Sequence, residues 1–136
     1  MTEDSEKEDI PETEEGWRRK LSEEEFEVLR ERGTEPKGSG KLLHNEEEGV
    51  YRCKACGQAL FSSDHKFESG TGWPSFSDVL DSDNIETEKD LRRIMPRTEV
   101  LCSNCGSHLG HVFMDGPEPT GKRYCINSVA LEFEEE

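Results

Sequence analysis

Two Cys-x-x-Cys pairs, Cys53 with Cys56 and Cys102 with Cys105, stand about 45 residues apart, and each is followed at once by a glycine, Gly57 or Gly106. Four thiolates so arranged make the soft, tetrahedral ligand set that zinc prefers. A chain that holds one ion between two distant turns must bring those turns face to face, so this feature constrains the fold more than any other. The glycines allow two similar turns that clasp the ion from opposite sides. Two disulfides are the alternative use of the same sulfurs. On either reading Cys125 is left without a local partner.

A staple is also what the composition calls for. A chain of 136 residues that is 30% hydrophobic and 36% charged is one domain's worth of sequence with poor material for a core. One structural zinc per chain supplies the missing cohesion, because its binding free energy, roughly 10 kcal/mol in zinc-finger peptides, becomes folding free energy. The net charge of −15 repels phosphate backbones, which counts against a nucleic-acid-binding ribbon. The expected substrates are neutral molecules or parts of other proteins. The N-terminus has no basic start followed by an apolar segment, and no stretch approaches the ~20 apolar residues of a membrane span. A cytoplasmic protein with no membrane contact is expected, and a reducing compartment favours zinc thiolates with a free Cys125 over disulfides.

Residues 1–15 carry eight acidic residues against one lysine and almost nothing apolar, the composition of a disordered tail. The remainder, 16–136, reads as a single domain. Ser22-Glu-Glu-Glu25 has the form of a capping box, with Phe26 and Leu29 at helical spacing and Gly33 as a stop, so one short helix is expected from about 22 to 32. Beyond it the period shortens. Val50–Cys53, Ala59–Phe61, Thr98–Leu101, His111–Phe113 and Arg123–Phe133 read as strands between turn clusters, giving a mainly β fold with a small antiparallel sheet or barrel.

Alternation along the last of these runs puts Arg123, Cys125 and Asn127 on one face. An arginine there favours the thiolate, and Asn127 can orient a polar partner. A nucleophile is one reading of Cys125; a small buried hydrophobe is the other, since Val129, Leu131 and Phe133 extend the same face. His108 and His111, with Gly110 between them permitting a bulge, are candidate acids or bases, with metal binding or plain surface positions as alternatives. Ser69-Gly-Thr-Gly-Trp-Pro-Ser-Phe76 is a loop able to present Trp73 as an aromatic platform for a methyl beside a polarised sulfur, unless Trp73 and Phe76 simply pack in the core. Asp115, in a turn-rich loop, is a candidate partner for a histidine.

Gly-Trp-Pro-Ser-Phe76, His-Leu-Gly-His-Val-Phe113, Asp-Gly-Pro117, Pro-Thr-Gly121 and Arg-Tyr-Cys-Ile-Asn-Ser128 occur in this order, between and after the two cysteine pairs. In this the chain resembles the MsrB methionine sulfoxide reductases over roughly residues 20 to 133. The resemblance implies two antiparallel sheets in a barrel-like arrangement and a structural zinc on Cys53, Cys56, Cys102 and Cys105, away from the active site. It implies Cys125 as nucleophile, with His111, His108 and Asn127 activating the substrate. Trp73, Phe113, Arg123 and Asp115 then line or support the substrate site. The reaction implied is reduction of the R epimer of methionine sulfoxide in oxidised proteins, or as the free amino acid; separately from the resemblance, a monomer is expected. Many relatives carry a resolving cysteine where this chain has Thr71, so recycling is expected to use a thioredoxin-like protein or a small thiol, unless a zinc-ligand cysteine serves. A zinc-stapled binding module without turnover is the rival reading.

Overall fold

The computed structural model describes residues 13–91 and 97–135. Residues 1–12, most of the expected acidic tail, lie outside the described residues. Among the described residues two helices come first, α1 (Glu14–Lys20) and α2 (Glu23–Arg30). The sequence reading does not anticipate α1. The Thr13 side chain caps it by accepting from the Gly16 N–H, acidic Glu14 and Glu15 open it, and Arg18, Arg19 and Lys20 close it, an order that complements the helix dipole. Trp17 then anchors it, buried beneath the Arg30 guanidinium at 4.3 Å from the ring centre.

In α2 both hydrogen bonds of the capping box form, Glu25 N–H to Ser22 Oγ and Ser22 N–H to Glu25 Oε1, and Phe26, Val28 and Leu29 face inward. The helix ends earlier than expected, and Arg32 rather than Gly33 takes the left-handed turn, with φ of 62°. Gly33 N–H closes the end on the Glu27 carbonyl at 2.9 Å. The reason is tertiary: from this conformation Arg32 Nε lies 3.3 Å from Oε2 of Glu99, a fully buried carboxylate.

Among the described residues nine strands follow: β1 (Gly49–Cys53), β2 (Ala59–Ser62), β3 (Lys66–Phe67), β4 (Ser75–Phe76), β5 (Ile85–Asp90), β6 (Arg97–Cys102), β7 (His108–Phe113), β8 (Arg123–Ile126) and β9 (Leu131–Glu135). They make two antiparallel sheets, ordered β2-β1-β9 and β3-β4-β8-β7-β6-β5. Between them pack Tyr51, Phe61 and Phe76, with Phe61 stacked on Phe76 at 4.4 Å and Tyr51 edge-on to it at 5.0 Å. The sparse apolar residues are thus concentrated into one aromatic core.

Two strand assignments change. The run Arg123–Phe133 is not one strand: β8 stops at Ile126, a single 3-10 turn spans Ser128–Ala130, and β9 belongs to the other sheet. The chain crosses over there because Asn127 Oδ1 accepts from Glu35 N–H at 3.0 Å and Ser128 Oγ accepts from Leu42 N–H at 3.3 Å, binding both residues to the long loop after α2. Alternation from Cys125 therefore cannot be carried on to Val129, Leu131 and Phe133. The strand Ile85-Glu-Thr-Glu-Lys-Asp90 is too polar to be read as one, yet pairs along its whole length with β6.

Candidate active site

The four paired cysteines converge as a cluster. Their sulfurs all lie within 4.8 Å of one another, with Cys53 to Cys105 at 3.7 Å and Cys56 to Cys102 at 3.6 Å. A tetrahedral ion with metal–sulfur bonds of about 2.3 Å sets its sulfurs about 3.8 Å apart, so the donor set fits one such ion. The two turns are built alike. Gly57 and Gly106 take φ of 87° and 76°, each donates N–H to the first cysteine of its pair at 2.8 Å, and Cys53 and Cys102 donate N–H to the Gln58 and Ser107 carbonyls. All four thiols are free of disulfides. Hydrogen bonds among them hold Cys53 and Cys102 in the thiol form and favour the thiolates of Cys56 and Cys105. Only a cation would let all four ionise.

Away from this cluster, a cavity of about 230 Å³ is lined by Cys125, His111, Asn127, Trp73, Phe113 and Arg123, together with Thr34, Thr71, Arg97 and Gly110. Cys125 and His111 are register partners across β7 and β8. The strands approach closely because residue 110 is glycine: a Cβ there would collide with the Cys125 carbonyl. Burial pushes the Cys125 thiol above its ordinary range, and the Glu35 carboxylate adds to this, while the Arg123 charge and the Thr71 hydroxyl pull it down. Arg123 thus acts in the expected direction, but desolvation outweighs it, and the resting sulfur is a thiol.

A bulge at the β6–β7 register shift turns both histidines the same way, and their ring centres are 5.4 Å apart. Only His111 reaches the cavity. His108 lies behind it, 1% exposed, with Nδ1 donating to the Val28 carbonyl at 3.2 Å and Nε2 3.5 Å from Glu99 Oε2.

Asp115 pairs with an arginine, not a histidine. Arg123 Nε and a terminal guanidinium nitrogen bond its two oxygens at 2.9 and 3.1 Å, which holds the carboxyl below its usual range. The same guanidinium lies 4.4 Å over the Phe113 ring, so Arg123 is fixed from two sides beside Cys125.

The sequence reading overlooks Glu35, which sits 2% exposed at the centre of the site's support. Its carbonyl accepts from Trp73 Nε1 at 3.0 Å, its N–H donates to Asn127 Oδ1, and its carboxylate Oε1 accepts from Val129 N–H at 2.9 Å. One residue thereby sets the angle of the indole and the orientation of the amide. Asn127 Nδ2 also donates to the Leu109 carbonyl at 3.0 Å, leaving one N–H of the amide to serve the cavity. Thr34-Glu-Pro36 offers no local pattern that marks this role; only the pairing across 92 residues does.

A protein-family model described as the SelR domain matches residues 21–135. The "Peptide methionine sulfoxide reductase MsrB" of Methanosarcina barkeri is 61% identical over 127 residues, covering 93% of this chain and 89% of that protein. The relative of the same name from Methanosarcina mazei is also 61% identical over 127 residues, covering 93% and 91%. That of Leptospira interrogans is 50% identical over 128 residues, covering 94% and 98%. With the family model spanning most of the chain and such identities over nearly full length, the chain belongs to the SelR-domain family, that of the MsrB peptide methionine sulfoxide reductases.

Proposed function

We propose that this protein reduces the R epimer of methionine sulfoxide, in oxidised proteins and as the free amino acid, with Cys125 as nucleophile. The observation that carries this reading is the convergence of Cys125, His111, Asn127, Trp73 and Arg123 on one cavity. The substrate methyl lies against Trp73 and Phe113, and the sulfoxide oxygen takes hydrogen bonds from His111 and from the remaining N–H of Asn127. His108 supports His111 from behind, while Arg123, held by Asp115, stands in the cavity wall beside Cys125.

Because the resting Cys125 is a thiol, activation falls on the substrate: proton transfer to the oxygen through His111 makes the sulfoxide sulfur electrophilic as Cys125 attacks it. Oxygen passes to Cys125, so thiol plus sulfoxide gives sulfenic acid plus thioether. The cysteine sulfur is oxidised by two electrons, the methionine sulfur is reduced by two, and the thiol proton ends on the transferred oxygen. Thr71 offers no thiol, so an external dithiol such as a thioredoxin-like protein, or a small thiol, attacks the sulfenic acid and releases water, and a second thiol frees Cys125 from the mixed disulfide.

The cysteine quartet holds one structural zinc per chain, which when bound supplies folding stability. None of its ligands lines the cavity. We assign one domain that opens at Thr13, the cap of α1, so the boundary expected at residue 16 moves to the start of that helix and the acidic tail is the part before it; we infer a cytoplasmic monomer, and no helix among the described residues is long and apolar enough to cross a membrane. An assay on separated R and S sulfoxides, in peptide and free form, tests the reading: activity confined to R and lost in Cys125→Ser is expected. Reduction by Cys125→Ser at the parent rate would overturn it.

A further inference from the structure

The loop before β4 and the first residue of that strand carry three hydroxyls in a row. Ser69 Oγ lies 2.8 Å from Thr71 Oγ1 and 2.7 Å from Ser75 Oγ, so one hydroxyl bridges the other two. The ends differ. Ser75 is fully buried, is the register partner of Cys125 across β4 and β8, and donates to the Trp73 carbonyl at 3.1 Å. Thr71 lines the cavity with Cys125, and its hydroxyl favours the ionised form of that sulfur.

Counting protons along the chain gives two arrangements. With Ser75 donating to the Trp73 carbonyl, Ser69 donates to Ser75 and Thr71 donates to Ser69. Thr71 Oγ1 then faces the cavity as an acceptor, which suits a thiol S–H. In the reverse order Ser75 donates to Ser69 and Ser69 to Thr71, and the Thr71 proton is free to point at an ionised sulfur. The Thr71 N–H bond to Ser69 Oγ, 3.3 Å long, fits both arrangements. Reversal gives up only the Ser75–Trp73 bond and gains a charge-assisted one.

We propose that Thr71, Ser69 and Ser75 form a reversible hydroxyl relay for Cys125, accepting from its thiol at rest and donating to its sulfur as negative charge develops during attack. The inference rests on Cys125 being the nucleophile. Thr71, which lines the same cavity as Cys125, is then the catalytic member of the relay, the one whose hydroxyl meets the sulfur, while Ser69 and Ser75 are positioning residues. A side chain that cannot resolve a sulfenic acid instead stabilises the sulfur that forms it.

Two readouts on the metal-loaded protein test the relay: the pH dependence of Cys125 alkylation by iodoacetamide, and single-turnover sulfenic acid formation on a methionine R-sulfoxide peptide. Losing a hydrogen bond to a charged atom should raise the apparent thiol pKa of Thr71→Val by about one unit and slow single turnover about tenfold at neutral pH. Thr71→Ser should recover both to within about threefold, and Ser69→Ala should shift both in the same direction by less, because it leaves Thr71 in place. Parent alkylation profiles in Thr71→Val and Ser69→Ala would overturn the relay, and if Thr71→Val fails to fold, Ser69→Ala decides. Cys125→Ser separates the two levels: inactivity alongside unshifted profiles sinks the relay alone, whereas retained single turnover sinks the nucleophile assignment beneath it.

Discussion

His111 and Cys125 face each other as direct partners across the antiparallel β7–β8 ladder, and both open onto the same cavity. Directly opposed residues hold their Cβ atoms about 4.5–5.5 Å apart, so main-chain hydrogen bonds, rather than flexible side chains, set the distance between the proposed nucleophile and the proposed acid. Positioned proton transfer contributes roughly 10²–10⁴-fold. His111→Ala should therefore lower kcat by about 10²–10³ with little change in KM, measured by steady-state kinetics on a methionine R-sulfoxide peptide. A loss below about tenfold would remove His111 from the acid role.

Glu35 gives a pH prediction of definite sign. Burial raises its carboxyl pKa above the ordinary value, against hydrogen bonds from the Ser128 and Val129 backbone. Among the described residues its Oε2 has no hydrogen-bond partner. Folding thus favours the protonated form: this contribution is fully present below the unfolded carboxyl pKa of about 4.3 and is lost as pH rises through the folded value. Glu35→Gln removes the titration. The difference in Tm between Glu35→Gln and parent should grow in favour of the variant from pH 4 to pH 7. An equal difference at both ends would show that Glu35 titrates as it does in the unfolded chain.

Removing the proposed structural zinc should unfold the protein rather than merely inactivate it. None of the four ligands lines the cavity, and the quartet joins turns far apart in sequence. If its binding contributes about 5 kcal/mol, and each kcal/mol moves Tm by about 2–8 °C, then chelation or Cys102→Ser should lower Tm by at least about 10 °C. Thermal unfolding followed by circular dichroism, with zinc release monitored by a colorimetric chelator, checks this. An unchanged Tm after stoichiometric release would contradict the staple.

Thr71 shares the cavity with Cys125, so a thiol at that position has access to the sulfur. In Thr71→Cys, one turnover without reductant should yield an internal disulfide, whereas the parent should yield a dimedone-reactive sulfenic acid. Mass spectrometry distinguishes the two products. A dimedone adduct of equal yield in both proteins would show that the Thr71 and Cys125 side chains do not meet in solution.

The chain's local spacing determined a good deal by itself. Two Cys-x-x-Cys-Gly turns define a ligand quartet wherever they are folded, because ligand chemistry and the left-handed glycine step are properties of a few consecutive residues. The Ser22–Glu25 capping box is local for the same reason. So is the singling out of Cys125, His111 and Trp73, which depends on side-chain chemistry that no neighbour needs to supply. What tertiary structure alone decided lies in contacts across long stretches of chain and in exclusion of water. Ile85–Asp90 is a strand because β6 pairs with it, and the chain changes sheets after Ile126 because Asn127 and Ser128 are held by the Glu35–Leu42 loop. Asp115 is engaged by Arg123, and Arg32 bends into a left-handed turn to approach a buried carboxylate. The balance at Cys125 belongs here too. An arginine two residues away can be read from the sequence, but the desolvation that outweighs it exists only once two sheets and a loop have closed around the sulfur.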